Sequence, residues 1–220
     1  MMDAAGRFYL IVSTLTVVAM YAMIIHFVPW ILHAVGAFGS IPSLVATVLG
    51  SLGVYKLIAW GVRLILGKWL WLRARVSGPS FLHGTWIGYF RGRNNDLRYV
   101  VEHFEQDFDG LVIRGQSFTE DGREHAHWTS TSATIDPRSG VLSYLSGCDI
   151  MTRNVTVQSV CVFQIKRDDK SDCAHGITGY AVDVNDGIRI AVTEKKLDKR
   201  LLSFSEGLVE AKEMAANANA

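Results

Sequence analysis

Charge is what the first third of this 220-residue chain lacks. Between Arg7 and Lys56 lie 48 residues without one Asp, Glu, Lys or Arg. An ordinary soluble domain, about a quarter charged, has no such gap. Residues 1–77 hold six basic side chains and one acidic one, leaving 16 Lys+Arg against 20 Asp+Glu for residues 78–220. The chain as a whole carries a formal +1, but its second part is net acidic, which argues against a generic DNA or RNA binder. Proline is scarce, and the three cysteines, Cys148, Cys161 and Cys173, form no CxxC pair. That set excludes a disulfide framework and suits a reducing compartment. No GxSxG elbow, no GxxxxGK(S/T) loop and no GxGxxG opening a helix is present, so the familiar hydrolase and phosphate-loop chemistries have no foothold. With 49% hydrophobic residues the chain is not disordered.

The uncharged stretch predicts two membrane spans, Phe8 to about Phe27 and about Ile41 to Gly61, joined by a turn over Val28–Ser40. Each has the roughly 20 residues that cross a bilayer core. Arg7 precedes the first span, and Lys56, Arg63, Lys68, Arg73 and Arg75 lie at or beyond the end of the second. Basic residues stay on the cytoplasmic side, so both termini are expected there, with Trp60, Trp69 and Trp71 as interfacial anchors. Residues 1–77 are thus expected to form a transmembrane hairpin with a basic juxtamembrane segment.

From Gly78 onward the period of the pattern drops to two. Eight strand candidates follow: Gly84–Phe90, Leu97–Asp107, Leu111–Phe118, Glu124–Thr134, Val141–Ser146, Thr156–Ile165, His175–Val184 and Ile188–Thr193. Asp109-Gly110, Asp121-Gly122 and Asp186-Gly187 are tight-hairpin dipeptides. Eight short strands without intervening helices predict an up-and-down antiparallel β-barrel over residues 78–200, closure removing exposed edges. Residues 194–200 read as a charged strand end or linker. Ser205–Met214 predicts a short helix with Ser205 as its cap, within a tail over 201–220.

Little here suggests catalysis, and no enzymatic activity or cofactor is expected. His125-Ala126-His127 puts two imidazoles on one strand face, which His103 or His175 could complete, but no carboxylate spacing supports a metal site. A barrel can instead hold a ligand. Strict alternation of strands gathers the connections 91–97, 118–124, 146–155 and 184–187 at one end. Arg91, Arg93, Arg123 and Arg153 lie there, with Arg189 just inside the last strand. Arginine binds phosphate bidentately and stacks on flat rings. Tyr89, Tyr144 and Tyr180 are the candidate stacking aromatics. Arg114, in mid-strand among apolar neighbours, would need an anionic partner if it points inward. Acidic residues occupy the same loops, so solvated surface pairs are the alternative for each arginine.

The plan of a hairpin followed by a small β-rich domain resembles the two-transmembrane β-barrel effectors of bacterial anti-phage CBASS systems, the STING-like CD-NTase-associated family. The likeness rests on Leu82-His83-Gly84-Thr85-Trp86-Ile87-Gly88-Tyr89, on Gly176-Ile177-Thr178-Gly179-Tyr180-Ala181-Val182-Asp183, and on the order of elements. The resemblance implies a two-pass protein of the bacterial inner membrane. Its barrel would receive a cyclic di- or oligonucleotide made by a partner CD-NTase, and its hairpins would oligomerise and disrupt the bilayer. Trp86 and Tyr89 are the two positions the matching opening carries over. A Gly-x-Trp first strand also occurs in lipocalins, so a membrane-tethered binder of a lipid or other apolar molecule is the competing expectation, with a hydrolase using His125 or His127 a distant third.

Overall fold

The computed structural model of the chain describes residues 4–35, 40–92, 94–107, 110–167 and 173–218. Arg93, Asp109 and the turn residues 36–39 lie outside them. The chain divides into two compact units, Met2–Ser77 and Gly78–Ala220.

The first unit is helical: α1 (Ala4–Val35), α2 (Ser40–Lys68) and α3 (Leu70–Ser77). Among the described residues no helix is long and apolar enough to cross a membrane. This overturns the expected two-span hairpin, and the cytoplasmic placement of both termini and the bilayer disruption drawn from it go with it. The physical reason is that a gap in charge is not an unbroken apolar surface. Tyr9, Ser13, Thr14, Thr16 and Tyr21 interrupt α1, and Lys56 and Arg63 interrupt the later turns of α2. Ser13 and Thr16 satisfy their hydroxyls on the carbonyls of Leu10 and Val12, at 3.0 and 2.8 Å. Arg63 lies with its Cζ 5.8 Å from the centre of the Phe8 ring, a cation–π contact that holds α2 to α1.

The second unit is the barrel. Its strands are β1 (Gly84–Arg91), β2 (Leu97–Gln106), β3 (Leu111–Phe118), β4 (Glu124–Asp136), β5 (Val141–Ile150), β6 (Val155–Arg167), β7 (Ala174–Asp183) and β8 (Arg189–Asp198). Each pairs antiparallel with the next, and β8 closes on β1, giving the expected closed eight-stranded order. Gly122 and Gly187 take φ of +86° and +69° in their hairpins, the left-handed conformation that Asp-Gly turns require. The expected sixth strand begins one residue late, and the fifth and eighth stop short of their true ends. β5 runs on to Ile150, and β8 carries through the charged stretch as far as Asp198.

One end of the barrel is shut. Leu82, Trp86, Phe104, Ile113 and Leu142 form a buried cluster there. Trp86 stacks on Phe104 with ring centroids 5.0 Å apart, and its Nε1–H donates to the Leu82 carbonyl at 2.9 Å. The entering segment is tied down by Gln106, whose Nε2 donates to the Ser80 carbonyl and whose Oε1 accepts from the Leu82 amide, each at 2.6 Å. Lys196, the inward residue of β8 nearest this end, lays its Nζ 5.0 Å from the Phe81 ring centre and 5.5 Å from that of Trp86.

Outside the barrel, α4 (Phe204–Ala218) packs on β1 and β2. Ile87, Val101 and Phe118 meet Ala211 there, and Gly207 sits so near Val101 that a Cβ would come within 2.5 Å of Val101 Cγ1. The helix starts earlier than expected, because its cap is Ser203 and not Ser205. Ser203 Oγ accepts the Glu206 amide at 3.3 Å while Glu206 Oε2 accepts the Ser203 amide at 2.8 Å, a reciprocal capping box. Ser203→Ala is expected to destabilise the barrel unit by about 1 kcal/mol. Urea denaturation checks this through a lower midpoint at unchanged slope.

Candidate functional site

Inside the open half of the barrel is a cavity of about 190 Å³. Alternation decides what lines it. In β2 the inward residues are Arg98, Val100 and Glu102; in β8 they are Ile190, Val192 and Glu194. The walls are mainly apolar and aromatic, with Phe90, Trp128, Tyr144 and Phe163 among them. The loop residues Gly92, Asn94, Asp96 and Arg153 form its mouth, so this is the end where 92–96 and 151–154 turn.

Two carboxyl groups make the floor. Glu102 and Glu194 are 1% and 2% exposed, and their strands flank β1, in register with Trp86 and Gly88 respectively. Glycine at 88 leaves the room they need: a Cβ there would come within 2.7 Å of Glu194 Cγ. A second glycine serves the same centre. Gly115 stands in register between Glu102 and Trp128, and a Cβ on it would fall inside the Trp128 indole. The ring therefore lies flat across β3 and reaches the next strand, where its Nε1–H donates to Glu102 Oε1 at 2.6 Å. The Tyr144 hydroxyl donates to the same oxygen at 2.9 Å. The second oxygen of each glutamate, Oε2, is buried, and the two carboxyls hydrogen-bond to each other.

The electrostatics follow from that burial. Loss of water raises the Glu102 carboxyl above its ordinary value, against the pull of hydrogen bonds from Trp128, Tyr144 and Glu194. Burial also raises Glu194 well above its ordinary value, reinforced by the charge on Glu102 and the hydrogen bond to it, so the two carboxyls share a proton between them. Burial likewise pushes the Cys161 thiol up to about 12 and the Cys148 thiol up to about 11, which keeps both as small uncharged wall residues. Tyr144 is raised as well, chiefly by burial and then by Glu102.

The mouth has the opposite character. Arg98 pairs with Asp96 at 3.0 Å, its side chain only 16% exposed, and Arg153 stands across from it. His125 lines the same rim, with Nδ1 3.0 Å from Thr152 Oγ1. Burial, then the nearby Arg98 and Arg153 cations, lowers its pKa, so it is neutral at pH 7.

Of the site residues expected from sequence, Arg153 lines this cavity, and so does Tyr144. The others are placed elsewhere. Tyr89 shares the outward face of β1 with Ile87. Arg91 braces its own loop, Nη1 donating to the Asn95 carbonyl at 3.3 Å. Arg114 points outward and pairs with Glu105 at 3.3 Å, so the anionic partner it needed is a neighbour on β2. Arg123 is exposed and bound to Asp121 at 2.6 Å, in a shallow depression beside the mouth that it shares with Arg98. Tyr180 lies on the outer face beneath Arg189, whose Cζ is 4.8 Å from the ring centre. His127 pairs with Glu124 at 2.9 Å and with Asp149 at 3.4 Å. Sequence reasoning passed over Arg98, Glu102, Trp128 and Glu194. The available signal was parity: Val100-x-Glu102-x-Phe104 and Val192-x-Glu194-x-Lys196 place acids in step with core residues.

No family model matches the chain, and no curated protein matches it. Among solved structures it is similar to a redesigned β-barrel, at 18% identity, over 55% of this chain and 96% of that one, with a TM-score of 0.40.

The glutamate pair makes stability depend on pH with a definite sign. Both folded-state pKa values lie above the ordinary 4.5, so the folded chain binds more protons than the unfolded one over that window. The pair's contribution is full below 4.5 and is lost as pH rises through the folded values. His103 and His125, both lowered, act in the opposite direction, so the test is a difference between proteins. Thermal melts across the range from 4.5 to neutral should show wild type losing stability relative to Glu194→Gln, whose amide needs no proton.

Proposed function

We propose that the barrel is a receptor for a cyclic nucleotide, with a base in the cavity and phosphate at the mouth. The observation that carries this reading is the polarity of one cavity: aromatic and apolar walls inside, Arg98 and Arg153 at the rim. Stacking of a base on an aromatic wall is worth about 1–3 kcal/mol, and arginine is the side chain best suited to a phosphate. A cavity of about 190 Å³ is smaller than the roughly 300–1,000 Å³ common for drug-sized ligands, so it suits one base more than a whole cyclic dinucleotide. The remainder of such a ligand would lie across the mouth, beside the depression that Arg98 shares with Arg123. The resemblance to CBASS effectors supports the same ligand class and makes a CD-NTase the partner that supplies it. Val17, Val18, Leu57 and Trp60 are exposed on the helical unit and give copies of the chain apolar surface through which to associate once ligand is bound.

A second reading, a barrel that binds a neutral apolar molecule, draws support from the same walls and from the absence, among the described residues, of any formal cation deep in the open half. The two differ at the rim. Titration calorimetry of the full-length chain against a panel of cyclic dinucleotides is the test. Arg98→Ala and Arg153→Ala should each weaken binding by about 10- to 150-fold, the worth of one charged hydrogen bond of roughly 1.5–3 kcal/mol. Arg114→Ala, on the outer face, should leave affinity within about twofold. Binding indifferent to both rim arginines, or confined to a neutral probe such as indole, would turn the assignment to the second reading.

A further inference from the structure

We infer that His125 completes the phosphate site at the barrel mouth beside Arg98 and Arg153, and that it takes a proton from solution as the phosphate arrives. The inference rests on the nucleotide reading above and deepens it by naming the third anion-binding group and the pH response it confers.

Register brings His125 to the mouth. On β4, Ala126 and Trp128 line the cavity, while His127 faces out and pairs with Glu124 and Asp149. Plain alternation would send His125 outward beside His127. The β3–β4 ladder is broken at this point: Ser117 pairs with Ala126 but Phe118 pairs with Glu124, so His125 is the extra residue of a β-bulge. A bulge re-aims the side chain it carries, and here His125 joins Ala126 in lining the cavity. Bulges gather at barrel rims and beside functional sites, which is where this one sits. The two imidazoles of His125-Ala126-His127 are thereby parted, one to the mouth and one to the outer surface.

The chemistry around the ring suits an anion. Thr152 Oγ1 stands 3.0 Å from Nδ1, and a hydroxyl can donate to a neutral ring nitrogen or accept from a protonated one. The ring can therefore gain a proton without losing this bond. Nε2 has no hydrogen-bond partner among the described residues, which leaves it to a ligand. In the free chain burial, then the Arg98 and Arg153 cations, keeps the ring neutral at pH 7 against the pull of Asp96. A phosphate bound between the arginines reverses the sign of that field and favours the imidazolium. The other charged groups nearby have partners of their own: Arg98 holds Asp96, Arg123 holds Asp121, Glu124 holds His127, and Asp183 on β7 accepts the Asn185 amide. A phosphodiester keeps its charge throughout the neutral range and brings no proton, so the proton comes from solvent.

The sign of the pH dependence follows. A group that gains a proton on binding makes affinity rise as pH falls. The rise is confined to the interval between the depressed value of the free ring, below 6.5, and its raised value in the complex. Outside that interval the ring has the same charge free and bound.

The test is titration calorimetry of the full-length chain with cyclic dinucleotides of adenine, guanine and uracil, in buffers of different ionisation enthalpy. The tightest binder should take up about 0.5 proton or more per chain at pH 7. Its affinity should rise by about 5- to 10-fold from pH 8 to pH 6. His125→Gln, whose amide does not titrate, should abolish both effects, its shortfall in affinity being largest at pH 6 and shrinking toward pH 8. His127→Gln, on the outer face, should change neither. The proton count on wild-type protein stands alone if His125→Gln fails to fold. Binding without proton uptake, or uptake that survives in His125→Gln, would overturn the inference and leave the nucleotide reading intact. If none of these nucleotides binds, the nucleotide reading itself falls, and the inference with it.

Discussion

Closure of β8 onto β1 is the constraint from which the rest of the barrel follows. Eight antiparallel strands of eight to thirteen residues leave no free edge once the last pairs with the first, so every strand is hydrogen-bonded on both sides. Closure also fixes parity, because one slip at the β1–β8 seam would turn Glu194 and Lys196 outward together. The seam carries an irregularity at Thr85/Trp86, where the register shifts. Above that point Gly88 faces Glu194 and Trp86 faces Lys196. The charged end of β8 is thereby forced inside the barrel, and the barrel must satisfy it there.

It does so in two different ways at two depths. Lys196 is turned toward the shut end, where the faces of Phe81 and Trp86 receive its cation, though burial still pulls its pKa down to about 8. Glu194 is turned toward the open end, where Glu102 shares its proton and two glycines, Gly88 and Gly115, make the space. Neither solution is the most stable one available. A well-packed apolar residue at 102 or 194 would avoid the desolvation that raises both carboxyls, since replacing buried charge by hydrophobic volume is often stabilising. The same glycines are needed only because the acids and the indole occupy their places. A group of residues arranged together around an energetic liability, at the floor of the cavity, has the character of a functional site more than of a structural one.

How much of this was legible in the sequence depended on which physical signal each residue carried. The eight strands and their order were legible, because alternation and Asp-Gly turns are local. The arginine-bearing end was legible as a set of connections, again because strict alternation of direction assigns the loops. Side-chain direction was not. Arg114 and Glu102 both sit among apolar neighbours, yet one faces out to Glu105 and the other faces in to Trp128. Only the pairing register separates them, and register is set by closure, a non-local property. The charged run after Thr193 read as either a strand end or a linker for a related reason: a local pattern gives no hint that Glu194 will meet an acid from β2, 92 positions earlier in the chain.

The helical unit shows the limit of reading an absence. A stretch without Asp, Glu, Lys or Arg has lost its charge but not its polarity, and α1 keeps hydroxyls and tyrosines at intervals of a few residues. A helix can satisfy Ser and Thr on its own carbonyls, as Ser13 and Thr16 do, whether the surroundings are protein or lipid. What then distinguishes a spanning helix is the length of continuous apolar surface, which the described residues do not supply. The aromatic and branched side chains of α1 and α2, Tyr9, Val17, Val18, Leu57 and Trp60 among them, stand exposed on the helical unit. The two units thus differ in where their chemistry faces: the barrel turns Glu102 and Glu194 inward, and the helices leave apolar groups exposed.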